Sequence, residues 1–595
     1  TVPPTPLNES QIALAKEQTK LFKDFAAGGA VGGGGQGARG RGNGGGGARD
    51  AGPVRVQIPT GYEVGVISVS PSGERAAITF VQAPTGDRTA QVPNYVTRSG
   101  YTEEIGTYEK VGDHQWRSRI FLVGLSGSES GTEEMVFPRP GMVGDVSWSP
   151  DGRFVAVWAD AEDNKDCWLL VADSRPSEKN AAVRTLWTEH DDAWVGGPLK
   201  RLLGWTGNRL YFGTEKTGYS HLMTMDPATG EAKALTSGNF EVSDVSLDED
   251  RKRFLFLSSE GGPAQRHLDT IGLDGGPITK LADMSADDDS SYALHPDGKT
   301  LAIVRSQPNH PGELYLGGKA VTQTPSDEWL SGPWTSPPIV EVPARDGKKV
   351  PGRLYKPKGW KKGGPAVVFV HGAGYLQNVF NGWSYYYREY MFHHLLMSRG
   401  YSVLDLDYRA SAGYGRDWRT AIYRHMGGKD LDDQVDGARY LVRELGVNPK
   451  RIGMYGGSYG GFITLMAMFT APGTFAAGAA LRPVTDWAHY NHGYTSNILN
   501  FPQDDPVAYR QSSPIYHAEG LKGALLICHG MIDTNVHFQD SVRLTERLIE
   551  LGKENWEIAP YPVENHGFTR PASWTDEYRR ILNLFERTIG PGYGK

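Results

Sequence analysis

A serine set among glycines, an aspartate and a histidine, each at the end of an apolar run, carry the chemistry that this sequence can perform. Ser458 lies in Gly456-Gly457-Ser458-Tyr459-Gly460, after the apolar stretch 452–455 and before a helical run over 462–469. Strand, tight turn, helix is the setting in which G-x-S-x-G lifts a hydroxyl above a sheet edge, with a helix N-terminus beside any developing oxyanion. Glycines two before and two after the serine let strand and helix pass close together. A serine nucleophile needs a base, and the base needs an orienting acid, in the chain order Ser, Asp or Glu, His. Downstream of Ser458 the aspartates are Asp486, Asp504, Asp505, Asp533, Asp540 and Asp576, and only Asp533 sits in a loop directly after an apolar strand. His537 is too close to Asp533 and opens the next helix, whereas His566 follows the strand 556–561 within a loop. Ser458, Asp533 and His566 are therefore the expected triad. The oxyanion donors are expected to be the backbone N–H of Tyr459 and a group on His371-Gly372-Ala373-Gly374-Tyr375, the loop after the first strong strand.

Other chemistries find less support. His371, His425, His489, His492 and His529 show no H-x-x-x-H or H-E-x-x-H spacing, and a serine triad needs no metal, so neither metal nor cofactor is expected. The run Asp287-Asp288-Asp289 lacks calcium-loop spacing and reads as a solvated turn. The net charge of −7 gives no reason to expect nucleic acid or an anionic membrane as partner. The two cysteines, Cys167 and Cys528, stand in unrelated contexts and form no disulfide framework; Cys528 ends an apolar strand, as a buried inert thiol would. No apolar run approaches the roughly 18 residues of a membrane span. A start at Thr1 fits a processed exported protein or a fragment, which favours a periplasmic or secreted setting over a cytoplasmic one.

With 595 residues, 39% of them hydrophobic, the chain is long enough for two domains and a tail. Residues 1–54 comprise a mixed-charge helix over 8–25 and a glycine-dominated stretch, 28–47, expected to be a disordered linker. From 55 to 335, short strands alternate with turns such as Ser147-Trp148-Ser149-Pro150-Asp151-Gly152 and Leu294-His295-Pro296-Asp297-Gly298. Each is strand, Pro-Asp-Gly-type turn, strand, which writes a β-hairpin, and recurrence near 40–50 residues is the period of propeller blades. The length allows six or seven blades but only five hairpins can be found, one of them followed by a long insertion over 84–116. An incomplete β-propeller, with blades missing before Thr1, is the expectation. From 336 to 595 near-continuous apolar strands alternate with helices, which implies a parallel sheet covered on both faces; with the serine turn, this is an α/β-hydrolase domain.

The chain resembles the prolyl oligopeptidase family of serine peptidases, in its dipeptidyl peptidase IV-like branch, on four motifs. These are Gly456-Gly457-Ser458-Tyr459-Gly460-Gly461, the stretch Asp407-Tyr408-Arg409-Ala410-Ser411-Ala412-Gly413-Tyr414-Gly415, the stretch 483–494 from Pro483 to Tyr494, and His529-Gly530-Met531-Ile532-Asp533-Thr534-Asn535-Val536. The resemblance implies release of dipeptides from peptide N-termini after a penultimate proline or alanine, with an oligopeptidase or acylaminoacyl-type peptidase, or a carboxylesterase, as alternatives. It further implies that Tyr459, Val484, Trp487, Tyr490, Tyr494 and Val536 form the hydrophobic S1 pocket, and flat aromatic walls do suit a pyrrolidine ring. Asn535 matches the amide that holds a substrate carbonyl. His371 stands where the dipeptidyl peptidases place an oxyanion-hole tyrosine, so Tyr375 or a backbone N–H of its loop could serve instead. A glutamate pair should hold the substrate ammonium, and Glu103-Glu104 in the long insertion is favoured over Glu133-Glu134. A homodimer is likewise implied.

Overall fold

The computed structural model describes residues 56–592 except 84–88, 114, 126–131, 175–182, 249, 251 and 282–287. The expected N-terminal helix and glycine-rich linker lie outside the described residues. Five four-stranded antiparallel sheets follow one another along the chain. Their first strands are Glu63–Val69, Gly141–Trp148, Arg201–Thr206, Val242–Leu247 and Asp288–Leu294. The hairpins read from sequence are the first two strands of each sheet. In four of the five, Gly73, Gly152, Gly207 or Gly298 makes the turn with φ between 55° and 72°, a conformation that side chains with a Cβ disfavour.

Adjacent blades are joined by apolar side chains that alternate out of each sheet. Ala77, Ile120 and Leu122 of the first pack on Val155, Val157 and Leu170 of the second. Trp158 and Leu169 meet Leu210 and Phe212; Tyr211 and Leu222 meet Phe254 and Phe256; Leu257 and Leu268 meet Ile303. Among the described residues no such cluster joins the first and fifth blades. Val64, Val66, Ile67 and Val69 of the first and Leu314, Leu316 and Val321 of the fifth are exposed. Among the described residues the blades therefore form an open array of five. The residues that suggested more are spent in the insertion, which builds its own hairpin from Gln91–Asn94 and Glu103–Gly106. One sequence expectation needs correction: Asp288 and Asp289 belong to no solvated turn. They lie buried in the strand Asp288–Leu294, where Asp289 pairs with Arg305 at 2.7 Å and burial pushes Asp288 up to about 6 beside Arg266.

The second half forms one eight-stranded sheet. Its spatial order is Ile339–Pro343, Lys349–Tyr355, Ser402–Leu406, Ala366–Val370, Ile452–Gly457, Ala477–Leu481, Ala524–Gly530, Trp556–Tyr561. The first two strands run antiparallel to their neighbours, and the remaining six are mutually parallel. Helices Lys429–Leu445, Tyr459–Thr470 and Phe538–Glu550 cover one face, and Tyr387–Ser398 with Pro571–Thr588 the other, so the central strands are buried on both sides. Among the described residues no helix is long and apolar enough to cross a membrane.

The blades sit against the loops at the carboxyl ends of these strands. Arg419 pairs with Glu215, the Lys165 ammonium donates to the Tyr423 hydroxyl (2.7 Å), and Arg266 donates to Gln377 Oε1 (2.9 Å).

Within the hydrolase half, two adjacent aspartates on one helix face opposite environments. Asp433 is fully buried and accepts from the backbone and guanidinium of Arg409, itself buried. Asp432 meets Arg345 where both are about two-fifths exposed. Asp433→Ala is expected to cost about 3–5 kcal/mol by leaving the buried Arg409 guanidinium with only the partly exposed Asp346 as its carboxylate partner, and Asp432→Ala no more than about 1 kcal/mol. Urea unfolding of the two variants checks this; equal midpoints would refute it.

Candidate active site

The turn that carries Ser458 is built by close packing. A Cβ on Gly456 would come within 2.3 Å of the Val370 carbonyl oxygen, and one on Gly460 within 2.0 Å of the same atom. Only glycine at both places lets the strand Ile452–Gly457 and the helix Tyr459–Thr470 close on the neighbouring strand. Ser458 between them takes φ 59° and ψ −118°, a strained conformation for a residue with a side chain.

That turn presents Ser458 Oγ 2.9 Å from His566 Nε2, while His566 Nδ1 lies 2.7 Å from Asp533 Oδ2. Asp533 Oδ1 accepts the backbone N–H groups of Asn535 (2.8 Å) and Val536 (2.9 Å), and His529 approaches Oδ2 at 3.4 Å. Burial alone would raise the Asp533 carboxyl, but the His566 and His529 rings together hold it well below the usual carboxylate range. The His566 ring is pushed below its ordinary value, chiefly by burial, with Arg482 and His529 adding to the effect and Asp533 opposing it. The site thus rests as a neutral imidazole between a carboxylate and a hydroxyl, poised to accept a proton.

Two contributors were missed in the sequence. Asn565 Oδ1 accepts from Thr534 N (3.0 Å) and from the His566 N–H (2.7 Å), tying the histidine loop to the aspartate loop. Its place beside the histidine was the available signal. Arg482 lies buried against the backbone of Gly457, where a Cβ would meet its guanidinium at 2.8 Å, and faces the buried Glu577 at 4.0 Å. No spacing rule pointed to it.

Beside Ser458 stands an aromatic box. Trp487 is fully buried, with the rings of Tyr490, Tyr494 and Tyr459 centred 5.5, 5.8 and 5.9 Å from it. Val484 and Val536 are also buried here. The Tyr459 hydroxyl donates to Asp430 (2.6 Å), whose burial pushes its carboxyl up to about 6. The Tyr490 hydroxyl donates to Asn535 Oδ1.

The 371–375 loop abuts the serine, since a Cβ on Gly372 would sit 3.3 Å from Ser458 Cβ. The His371 ring, however, is turned away from the oxyanion position. It is fully buried, with Nδ1 bonded to the Gly372 carbonyl (2.8 Å) and Nε2 to Ser411 Oγ (3.0 Å) beside Asp407 at 3.3 Å. Both nitrogens are occupied because the ring stacks inward on Tyr408. Gly372 N–H is spent on the Tyr386 hydroxyl (2.7 Å), whereas Ala373 N–H, at a residue with φ 42°, finds no partner among the described residues. Tyr375 is largely exposed, its ring edge-on to Tyr494.

The insertion of the first blade reaches this site. Val111 N donates to the Tyr490 carbonyl (2.9 Å), Thr107 Oγ1 lies 2.9 Å from His537 Nε2, and Tyr108 stacks on His537. Glu103 and Glu104 lie exposed on the strand Glu103–Gly106 that leads into this contact, with Glu103 accepting from Ser99 (3.2 Å). Glu134 is instead held in the first blade by Arg119.

Comparison with known proteins agrees with this layout. Residues 387–592 match the family described as the prolyl oligopeptidase family, and 67–312 match the dipeptidyl peptidase IV (DPP IV) N-terminal region. Dipeptidyl peptidase 8 of Mus musculus is 28% identical over 554 residues, covering 83% of this chain and 58% of that protein. Its Homo sapiens counterpart is 28% identical over 428 residues, covering 63% and 46%. The chain thus spans about half the length of these curated relatives. The crystal structure of Porphyromonas gingivalis dipeptidyl peptidase 4 superposes with a TM-score of 0.74 at 22% identity, covering 87% of this chain and 74% of that one. Blades followed by an α/β-hydrolase sheet, with both halves matched, show that the chain belongs to the prolyl oligopeptidase family, in its dipeptidyl peptidase IV-like branch.

Proposed function

We propose that this chain is a serine exopeptidase that removes dipeptides from peptide N-termini after a penultimate proline or alanine. The observation that carries the reading is the continuous Ser458–His566–Asp533 hydrogen-bond line opening beside an aromatic box. Dipeptidyl peptidase names among the relatives support it. Ser458 Oγ adds to the scissile carbonyl carbon as its proton passes to His566 Nε2. His566 then returns that proton to the leaving amine nitrogen, which departs and leaves the acyl ester. Water repeats the cycle, giving its proton to His566 and its hydroxyl to the acyl carbon; as the acyl C–Oγ bond breaks, His566 returns the proton to Ser458 Oγ. Asp533 keeps Nδ1 protonated and stabilises the imidazolium.

The oxyanion would be held by Tyr459 N–H at the helix start and by the unspent Ala373 N–H, with Tyr375 at the rim. Tyr459, Val484, Trp487, Tyr490, Tyr494 and Val536 would enclose the proline or alanine side chain, and Asn535 a substrate carbonyl. Glu103 and Glu104 would meet the free ammonium, supported by the seating of their strand's continuation on the site. Residues 55–335 and 336–595 are the two domains of this reading, and a homodimer belongs to it.

Ser458→Ala or His566→Ala should lower kcat by roughly 10⁶, read with a proline anilide of free N-terminus. Because His566 must be neutral to accept the serine proton, and burial lowers its pKa, the acid limb of kcat/KM should fall below the ordinary histidine value of about 6.5. A limb well above 7 would contradict this. Gly-Pro-anilide should be cleaved and its N-blocked counterpart largely refused, and the joint Glu103→Gln, Glu104→Gln variant should lose that preference through KM. Preference for the blocked substrate would indicate an oligopeptidase or acylaminoacyl-type peptidase, and turnover of acyl esters alone a carboxylesterase.

A further inference from the structure

The polar atoms of Asn535 can be accounted for one by one. Its N–H donates to Asp533 Oδ1 at 2.8 Å. Its side-chain Oδ1 accepts from the Tyr490 hydroxyl. Its backbone carbonyl accepts from the Tyr108 hydroxyl at 2.7 Å. Only the Nδ2 group finds no partner among the described residues. An amide whose oxygen is already taken can turn only its donor toward an incoming carbonyl.

Tyr108 is the one member of this set that comes from the blade half of the chain. Its ring lies flat on His537, with centroids 4.7 Å apart and planes 18° apart, and meets Tyr490 edge-on at 6.1 Å. Burial and the neighbouring Tyr490, Asp540 and Asp533 push its phenol far above the usual tyrosine range, so it stays a donor. The neighbouring contacts repeat the pattern: Val111 N holds the Tyr490 carbonyl, and Gln503 Nε2 donates to the Gly112 carbonyl at 2.7 Å. Residues 107–112 thus form a strap across the two segments that carry Asn535 and Tyr490.

We propose that Tyr108 is a positioning residue for substrate binding: by holding the Asn535 carbonyl and bracing Tyr490, it aims the Asn535 Nδ2 donor at the carbonyl of the residue preceding the proline or alanine. This rests on the dipeptidyl reading above and adds to it a residue from the propeller insertion. Tyr108 touches neither the substrate nor Ser458, and acts through Asn535.

The test compares inactivation of the full chain by two Ser458-directed probes, a small dialkyl fluorophosphonate and a Gly-Pro-phosphonate. The preference of the wild-type chain for the dipeptidyl probe measures what the subsites contribute. Tyr108→Phe, which removes only the hydroxyl, should reduce that preference roughly three- to tenfold, the worth of one hydrogen bond. With Gly-Pro-anilide the same variant should raise KM by a similar factor and change kcat less than twofold. In an Asn535→Ala background Tyr108→Phe should add almost nothing, since the two act as one unit. An unchanged preference in Tyr108→Phe, or full additivity with Asn535→Ala, would overturn the role of Tyr108 while leaving the dipeptidyl reading intact. Absence of any dipeptidyl preference in the wild type would overturn both.

Discussion

One carbonyl oxygen, that of Val370, is clasped between Gly456 and Gly460, and the geometry of the site descends from that contact. Because the strand and the helix that follows Ser458 can approach so closely, Ser458 is forced into its positive φ and its hydroxyl stands clear of the sheet. Strain of this kind costs on the order of 1–3 kcal/mol. It persists because the flanking strand is buried throughout and the helix is buried from Tyr459 to Phe469, which allows no alternative path. The loop from His371 packs on the same corner, so the carbonyl that shapes the turn also brings the 371–375 loop to the serine.

Charge around this corner is arranged by burial and then corrected by partners. Asp533 remains anionic although buried, because two backbone N–H groups and two imidazoles face it. His566 remains neutral because burial and the Arg482 charge outweigh the carboxylate. Arg482 in turn is kept charged by Glu577 and Glu389, whose own carboxyls burial drives upward. Removing one member of such a set disturbs the others through the low-dielectric interior, which is why neighbouring charges can differ so much in worth.

The blades do more than cover the sheet. Pro263 and Ala264 of the fourth blade accept from Gln377 and Asn381, and Ser306 of the fifth accepts from Trp383, so the segment after the 371–375 loop is held by the blades. The insertion of the first blade holds the aspartate loop and Tyr490 from another side. The strap from the insertion thus lies beside the aromatic box that Tyr490 helps to form.

The order Ser458, Asp533, His566 was legible because each stands where an apolar strand ends, and strand periodicity is a local property of the sequence. The five blade hairpins were legible for the same reason, since a Pro-Asp-Gly turn is written in adjacent residues. What the chain alone could not say is which side of a loop faces inward. The family resemblance set His371 where an oxyanion donor would stand, yet its ring packs on Tyr408 and Ser411. Asp288 and Asp289 looked like a solvated turn until Arg266 and Arg305, distant in sequence, were seen beside them. Tyr108 had no signal at all, because its partners lie more than 380 residues away. Sequence by itself determined the elements and the chemical groups at their ends, since both depend on neighbours along the chain. Distances, burial and the pairing of polar atoms were decided only by tertiary structure, because they depend on neighbours in space.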